Sequence, residues 1–377
     1  MARRASLFRR QGGLSLIELL IGVAIGLVVL GSLLVVYLGS RAAYRTSDSL
    51  ARVQEAGRFA VEFIAQEARM SGFMGCRSRN LSRDDQTLTN ITQPAVTFDG
   101  ARDGIRGFDD GAGWTNPTTI TRVAGSDVLT IRRAAGVMVG VASNSDPLAR
   151  TVTLRHNAVG LRNGDLAVLG NCERALVFRV TNSPALTGIG DFPTVLEYKA
   201  TGGGSDGSLG NDTAIPVPTF NVGSRAEVMG FVETSYFIGE RPNPPGTPAG
   251  TPRVRSLYRT SGGAVEELVE NVEDMDIVYG VDTTLPDQDG TIDQYRRADQ
   301  IAAGDWGRVV SARISLLVVS PVDVEAGDPT KTVITTNLQT YAFREASGDG
   351  VADEQTAPDR RLRHVFTTTI SLRNRVL

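Results

Sequence analysis

The spacing of apolar and polar positions changes twice along this 377-residue chain. Residues 14–38 form an apolar run in which Glu18 is the one charged residue. From residue 39 to 75, apolar positions recur every three or four residues, as on one face of an α-helix. Beyond residue 76, short runs that alternate apolar and polar side chains lie between clusters of Gly, Pro, Asp and Asn, which is typical of strands and turns. The pattern predicts one long helix followed by a β-rich head.

The second half of the predicted helix has one apolar stripe, with most charged residues on other faces. The stripe consists of Leu50, Val53, Gly57, Ala60 and Ile64, with Ala56 and Phe63 beside them. The stripe either packs on the chain's own head or packs in part on other subunits, and the spacing favours neither. No proline occurs before Pro94, and Met70-Ser71-Gly72 supplies a helix stop signal.

Eight strands are predicted in the head. They are Val128–Arg132, Asp165–Leu169, Ala175–Thr181, Ser235–Ile238, Ser256–Arg259, Val272–Tyr279, Val309–Val319 and Val365–Leu372. The last two alternate most clearly and are predicted to be half-buried antiparallel strands. We expect the turn-rich stretches 202–212 and 242–252 to be surface loops, the second a boundary within the head. The fold class predicted is α+β: a long N-terminal helix packed on an antiparallel β-rich head.

The apolar run is long enough to cross a membrane. At about 1.5 Å per residue, residues 14–38 reach roughly 37 Å, against a hydrocarbon core of about 30 Å. Residues 1–13 contain four Arg and no acidic residue. By the positive-inside rule the Arg-rich end stays in the cytoplasm, so the head is predicted to lie on the other side of the membrane.

The order of these segments distinguishes the N-terminus from a secretory signal peptide, which is cut after its apolar run. Here the candidate cut, Gly13-Leu14, precedes the run, and Leu14-Ser15-Leu16-Ile17-Glu18 follows it. This arrangement resembles the type III signal of type IV prepilins and pseudopilins. The resemblance implies that a membrane aspartyl peptidase, the prepilin peptidase, removes residues 1–13 and methylates the amino group of Leu14. It also implies that Glu18 pairs with the amino terminus of a neighbouring subunit; the alternative is a carboxylate that only reaches the lipid headgroups.

Later segments extend the likeness. The opening helix, the stretch Val269–Gly280, Trp306 before the strand Val309–Val319, the closing strand and a Cys pair resemble the PilW family of minor pilins. The resemblance implies a structural subunit that helps to prime type IV pilus assembly and has no enzymatic activity. It implies as partners other minor pilins, the major pilin and the inner-membrane assembly platform. It places the head in the periplasm before assembly and in the pilus, near its tip, afterwards.

Two other functions stay open at this point. Minor pseudopilins of type II secretion, of the J class, share the same plan. A signal-anchored extracytoplasmic enzyme or binding protein is the third alternative. The chain divides on either pilin interpretation into a leader (1–13), a transmembrane half-helix (14–38), an amphipathic half-helix (39–75) and a head (76–377).

Composition argues against several kinds of chemistry. With 39 basic and 42 acidic residues, the formal charge of -3 provides no field suited to nucleic acid. Two His and two Cys are too few for most zinc sites. Asp274 and Asp276 are interpreted as solvent-facing residues of a strand whose other face is apolar, and not as a catalytic pair.

The two cysteines are Cys76, after the helix, and Cys172, after a predicted strand. Because disulfides persist outside the cytoplasm, we expect these residues to form a bridge. The alternative is two separate buried thiols.

An acidic stretch is the one candidate for a bound metal. Asp282, Asp287, Asp289 and Asp293 surround Gly290, and calcium prefers several carboxylate oxygens around a tight turn. If Gly290 is aligned with the glycine of an EF-hand, Leu285 and Arg296 occupy the first and last ligand positions, so the pattern is incomplete. A solvated turn is favoured over a Ca²⁺ site, and no other cofactor is expected.

Overall fold

The long helix and most of the head are described by a computed structural model. It covers residues 15–75, 88–93, 104–187, 192–205, 207–248, 253–284, 289–321, 339–344 and 353–372. The first element, α1, spans Leu16–Ala68. At 1.5 Å per residue its 53 residues are about 80 Å long.

The end of α1 coincides with the predicted stop signal. Arg69 is the C-cap residue, and Gly72 adopts a φ of 72°, which glycine tolerates without steric cost. The N–H of Gly72 then donates to the carbonyl oxygen of Arg132, and the N–H of Ala134 donates to Phe73. The chain that leaves the helix is therefore fastened directly to a strand of the head.

The head consists of short strands joined by turns. They are β1 (Leu88–Asn90), β2 (Thr92–Gln93), β3 (Ile105–Phe108), β4 (Thr121–Arg122), β5 (Val128–Gly140), β6 (Thr151–Leu154), β7 (Leu166–Gly170), β8 (Ala175–Arg179), β9 (Thr194–Glu197), β10 (Gly210–Asn211), β11 (Glu227–Glu240), β12 (Arg255–Ser261), β13 (Ala264–Glu270), β14 (Val272–Val281), β15 (Gln294–Arg296), β16 (Val309–Val319), β17 (Thr340–Ala342), β18 (Glu354–Thr356) and β19 (Arg363–Ser371). Short 3₁₀ turns lie at Asp109–Gly111, Val222–Ser224, Ala298–Gln300 and Ala303–Arg308.

Two sheets organise the described part of the head. The larger runs β1-β8-β7-β11-β12-β13, and β3, β4 and β5 join it through β5 and β11. The smaller runs β15-β14-β16-β19 and is antiparallel throughout. The chain passes from one sheet to the other at Asn271, whose φ of 61° breaks the strand between β13 and β14. Asn tolerates this left-handed conformation better than most residues.

The main core lies where α1 crosses both sheets. The helix packs against β13, β16 and β19. Buried side chains of α1, including Val53 and Ile64, share this core with Ile277 of β14 and Ile314 of β16. A second core, built around Phe178, Tyr198 and Val228, fills the part of the head that lies away from the helix.

The predicted α+β fold is confirmed, although several strand limits were wrong. Val309–Val319 was predicted as it is found, whereas β5 continues eight residues past Arg132, through Gly136 at a φ of 86°. The helix-favouring composition of Ala264–Glu270 concealed β13, which pairs with β12 across Gly262-Gly263. The pairing of β1 with β8 is parallel, contrary to the expected antiparallel arrangement.

Each of the two predicted loops differs from expectation in one respect, although the described part of the second is exposed coil as predicted. Residues 242–252 connect β11 to β12, which pair within one sheet, so this stretch is not a boundary in the head. Residues 202–212 include β10, whose Gly210 and Asn211 are buried beside β2.

Candidate functional site

The first turn of α1 is closed by Ser15 and Glu18. Ser15 is the N-cap residue, and its hydroxyl accepts a hydrogen bond from the Glu18 N–H (3.2 Å). The Glu18 carboxylate in turn accepts from the N–H (3.2 Å) and the hydroxyl (3.4 Å) of Ser15. This is a capping box, which satisfies N–H groups that have no partner within the helix. The predicted cleavage residues Gly13 and Leu14 lie outside the described residues.

The N-terminal half of α1 is not covered by the described part of the head. Its large apolar side chains, from Leu16 to Leu38, are exposed, and the helix is long and apolar enough to cross a membrane. Nothing lies within 4 Å of the positions a Cβ would take at Gly22 and Gly26. Exposing this much apolar surface to water is unfavourable in free energy, so we expect lipid or other protein to surround this half of the helix.

The C-terminal half packs on the chain's own head through most of the predicted stripe. Val53, Gly57, Ala60 and Ile64 are buried in the main core. Leu50 and Phe63 were predicted for this face, but they are exposed. Most of the predicted stripe therefore packs on the chain's own head, whereas Leu50 and Phe63 remain exposed to solvent.

Ion pairs fix the end of the helix against the larger sheet. Glu67 lies 3.5 Å from the guanidinium of Arg133 on β5 and 3.4 Å from that of Arg259 on β12. Arg259 also pairs with Glu266 on β13. An acidic residue near a helix C-terminus is unfavourable for the helix dipole, and the two Arg side chains compensate for it.

One half of the predicted disulfide lies in the described part of the chain. Cys172 follows β7, whereas Cys76 lies outside the described residues. Met74, two residues before Cys76, is buried against Val168 and Ala175. A Cβ built on Gly170 would lie 3.6 Å from the Met74 carbonyl oxygen. The chain entering Cys76 therefore passes close to the strand end that precedes Cys172, and the bridge stays a prediction.

The described residues of the acidic stretch are held by local hydrogen bonds. Asp282 is buried and accepts from the N–H groups of Thr284 (3.0 Å) and Gly290 (2.8 Å). Asp293 accepts from the N–H of Thr283 (2.7 Å), and Asp289 from that of Thr291 (2.8 Å). Asp287 lies outside the described residues, and among those described no acidic, His or Cys group has the geometry of a metal site.

Asp274 and Asp276 are both less exposed than the sequence suggested, and Arg344 pairs with Asp274. The Arg344 guanidinium donates to both oxygens of Asp274 (2.8 and 3.1 Å), to Asp110 (2.9 Å) and to the carbonyl oxygen of Gly125. This contact fastens the segment that follows β17 to β14. It also leaves Asp274 ion-paired instead of free for acid–base chemistry.

Burial dominates the electrostatics of this acidic cluster. It raises the pKa of Asp276 to about 6, with Arg344 acting in the opposite direction. It raises the pKa of Asp127 to about 8, although the carboxylate accepts hydrogen bonds from the N–H groups of Asp110 (2.9 Å) and Ile277 (2.8 Å). Carboxylates that are hard to ionise make the stability of the head sensitive to pH.

Sequence reasoning missed a second ion network on β19. Arg363 is fully buried, and its guanidinium donates to Glu273 (2.7 and 2.9 Å) and Asp359 (2.5 Å). Arg361 bridges the same two carboxylates. Nothing in the local sequence indicates that Arg363 is buried, because its partner Glu273 lies 90 residues away along the chain.

Comparison with known proteins gives two matches to this chain. The family model described as type IV pilus-assembly protein W matches residues 235–374, and the prokaryotic N-terminal methylation motif matches residues 8–34. No curated protein and no solved structure gives a significant match.

One match lies in the C-terminal part of the head, and the other lies in the N-terminal segment that includes the start of α1. Residues 235–374 contain the last six residues of β11 and all of β12 to β19, which include the strands against which α1 packs. The methylation motif covers most of the exposed apolar half of α1, up to residue 34. By these matches, residues 235–374 of the head are similar to the type IV pilus-assembly protein W family, and the N-terminus is similar to the prokaryotic N-terminal methylation motif.

Proposed function

We propose that this chain is a minor pilin that helps to prime the type IV pilus. The observation that carries the proposal is the division of α1 into two halves. One half exposes apolar side chains on every face, as an anchor must, and the other half is fixed to a head that matches a pilus-assembly family. A helix of this kind suits a subunit that is stored in the membrane and later joins a fibre.

The N-terminal motif supports processing by a prepilin peptidase. In this proposal the peptidase cuts between Gly13 and Leu14 on the cytoplasmic side, and the new amino terminus is methylated. The match to residues 8–34 spans the proposed cut. The head then lies in the periplasm, and other minor pilins, the major pilin and the assembly platform are the partners.

Intact-mass measurement tests this proposal directly. In cells with the peptidase, the protein should begin at N-methyl-Leu14, and in cells without it the full leader should remain. Gly13→Val should block the cut, whereas Gly12→Val serves as the neighbouring control. A chain that keeps Met1 in peptidase-positive cells would contradict the proposal.

A minor pseudopilin of type II secretion is the second candidate, because the methylation motif does not distinguish the two systems. The match to a pilus-assembly family favours the pilus. Deleting the gene separates them: loss of surface pili with normal secretion is expected, and loss of secretion with normal pili would indicate the pseudopilin.

A further inference from the structure

Three large side chains lie on one side of α1, where the predicted membrane span ends at Leu38. Tyr37 and Tyr44 are 63% and 74% exposed, and Arg41 between them is exposed as well. At about 100° per residue, the three positions fall within an arc of about 60° around the helix. We call them the interfacial face. Arg45 follows them, but it is half-buried and already interacts within the chain, so the interfacial face does not include it.

The head lies on the opposite side of α1. Tyr44 and Val53 are about two and a half helical turns apart, and Val53 is buried in the main core. The first buried residue of α1 is Ser49. The stretch from Leu38 to Ser49 is therefore about 16 Å long, and the described part of the head does not cover the interfacial face.

The distance of these residues from the apolar span places them in the headgroup layer. A bilayer of about 40–45 Å has a hydrocarbon core of about 30 Å, which leaves roughly 5–7 Å of headgroups on each side. Arg41 is about 4.5 Å beyond Leu38 along the helix. Tyr44 is about 9 Å beyond Leu38, but long side chains of a helix point back toward its N-terminus, so the ring is directed toward the same layer. Tyrosine is enriched at this depth in membrane proteins.

The charge of Arg41 suits a lipid phosphate. Residues 39–47 contain two Arg and no acidic residue, and Arg41 has no ion-pair partner in the part of the chain that the structure describes. The next acidic residue, Asp48, is paired with Arg52 at 3.0 Å. The positive-inside rule disfavours arginine on the side to which the head is carried, so insertion does not explain Arg41. A guanidinium binds a phosphate through two N–H groups.

We propose that Tyr37, Arg41 and Tyr44 bind the phosphate headgroups of anionic phospholipids and that α1 tilts toward this face. The Arg41 guanidinium holds the phosphate, while each tyrosine places its ring toward the acyl chains and its hydroxyl toward water. A tilt of about 20° is ordinary for a membrane-spanning helix. With the interfacial face turned toward the bilayer, the head on the opposite side is held away from the lipid. This inference rests on the membrane anchor that the proposed function requires.

Photo-crosslinking to lipid tests the direction of the tilt. The full-length protein, in vesicles of phosphatidylethanolamine and phosphatidylglycerol, carries p-benzoylphenylalanine at Tyr44 or at Ala42, which is exposed on the other side of α1. In an upright helix, position 42 is about 3 Å closer to the bilayer and should give more lipid adducts. A tilt of about 20° lowers one side of a helix about 12 Å wide by about 4 Å relative to the other, so we expect position 44 to give more. Equal yields, or a larger yield from position 42, would overturn the inference.

Substitution of Arg41 tests the phosphate contact. Near an anionic surface, one arginine changes the binding equilibrium roughly fivefold. We expect Arg41→Gln to lower the ratio of position 44 to position 42 adducts by about this factor, and vesicles of phosphatidylcholine alone should lower it likewise for the wild type. Arg58→Gln is the matched control, because Arg58 is exposed but lies about 30 Å beyond Leu38. An unchanged ratio in Arg41→Gln, or an equal decrease in Arg58→Gln, would contradict the proposal.

The proposed function can fail separately. The photo-crosslinker at Val28, in the middle of the span and 70% exposed, reports on the anchor itself. If position 28 gives no lipid adducts, the helix does not enter the membrane and the proposed function is wrong. If position 28 gives adducts but position 44 does not exceed position 42, only the interfacial contact is contradicted.

Discussion

The ring of Phe366 on β19 lies directly over Gly57 of α1. A Cβ built on Gly57 would be 2.2 Å from two ring carbons, a distance that real Cβ atoms do not reach. Glycine at this position lets the helix approach the smaller sheet closely. The contact therefore sets the distance between the C-terminal half of α1 and β19 of the smaller sheet.

Gly57→Ala tests this close approach. Alanine favours a helix by about 1 kcal/mol over glycine, but overpacking costs about 1–3 kcal/mol. We expect the clash to dominate, so the thermal midpoint of the detergent-solubilised protein should fall, as measured by circular dichroism.

The double variant Gly57→Ala with Phe366→Ala is the control. Without the ring, the alanine should raise the midpoint relative to Phe366→Ala alone, because only the helix preference remains. If Gly57→Ala lowers the midpoint in both backgrounds, the ring is not responsible.

The acidic cluster predicts that the head is more stable at mildly acidic pH than at alkaline pH. Burial raises the pKa of Asp276 to about 6 and that of Asp127 to about 8. A carboxyl group whose pKa is raised on folding stabilises the fold below its unfolded pKa of about 4, and this contribution is lost as the pH rises through the folded value. The thermal midpoint should therefore fall between pH 5 and 8.5, as measured by differential scanning fluorimetry.

Asp276→Asn identifies one source of this dependence. The amide cannot ionise, so the decrease between pH 5 and 7 should become smaller, while the decrease near pH 8 that Asp127 causes remains. Asp299→Asn is the control at an exposed carboxylate, and an equal flattening in that variant would argue against the cluster.

The predicted disulfide gives a third test. A bridge between Cys76 and Cys172 would close a loop of about a hundred residues, worth up to ~4.7 kcal/mol on the chain-entropy estimate. Reduction should lower the thermal midpoint of the wild type but not of Cys172→Ser. Two free thiols in the native, unreduced protein would exclude the bridge.

Glu18 gives a fourth prediction. In the fibre we expect its carboxylate to pair with the amino terminus of another subunit, since a buried charge without its partner costs about 3–5 kcal/mol. The Glu18→Ala variant should insert into the membrane and be cleaved normally. Its amount in sheared pili, relative to its amount in membranes, should be lower than that of the wild type.

Glu18→Gln separates this role from the capping box seen with Ser15. Glutamine preserves the cap, because it also accepts hydrogen bonds at this position, but it carries no charge. If charge pairing is required, Gln should fail in assembly as Ala does. Normal recovery of the Gln variant in pili would show that Glu18 serves only the helix start.

The sequence alone determined the features that depend on near neighbours in the chain. The extent of α1, the apolar span, its stop near Gly72 and the alternation in Val309–Val319 all follow from spacings of two to four residues. The N-terminal motif around Gly13 and Glu18 is local in the same way. For this reason the α+β fold and the pilin resemblance could be derived from the sequence.

Only the tertiary structure decided which surfaces meet. Phe63 and Ile64 are both apolar and adjacent, yet Ile64 is buried on the head and Phe63 is exposed, because the direction from which the sheets approach α1 fixes the covered face. Arg363 finds Glu273 across 90 residues, and Arg344 reaches Asp274 across 70. These ion pairs join strands and loops that are distant in sequence, so the local spacing of residues does not predict them.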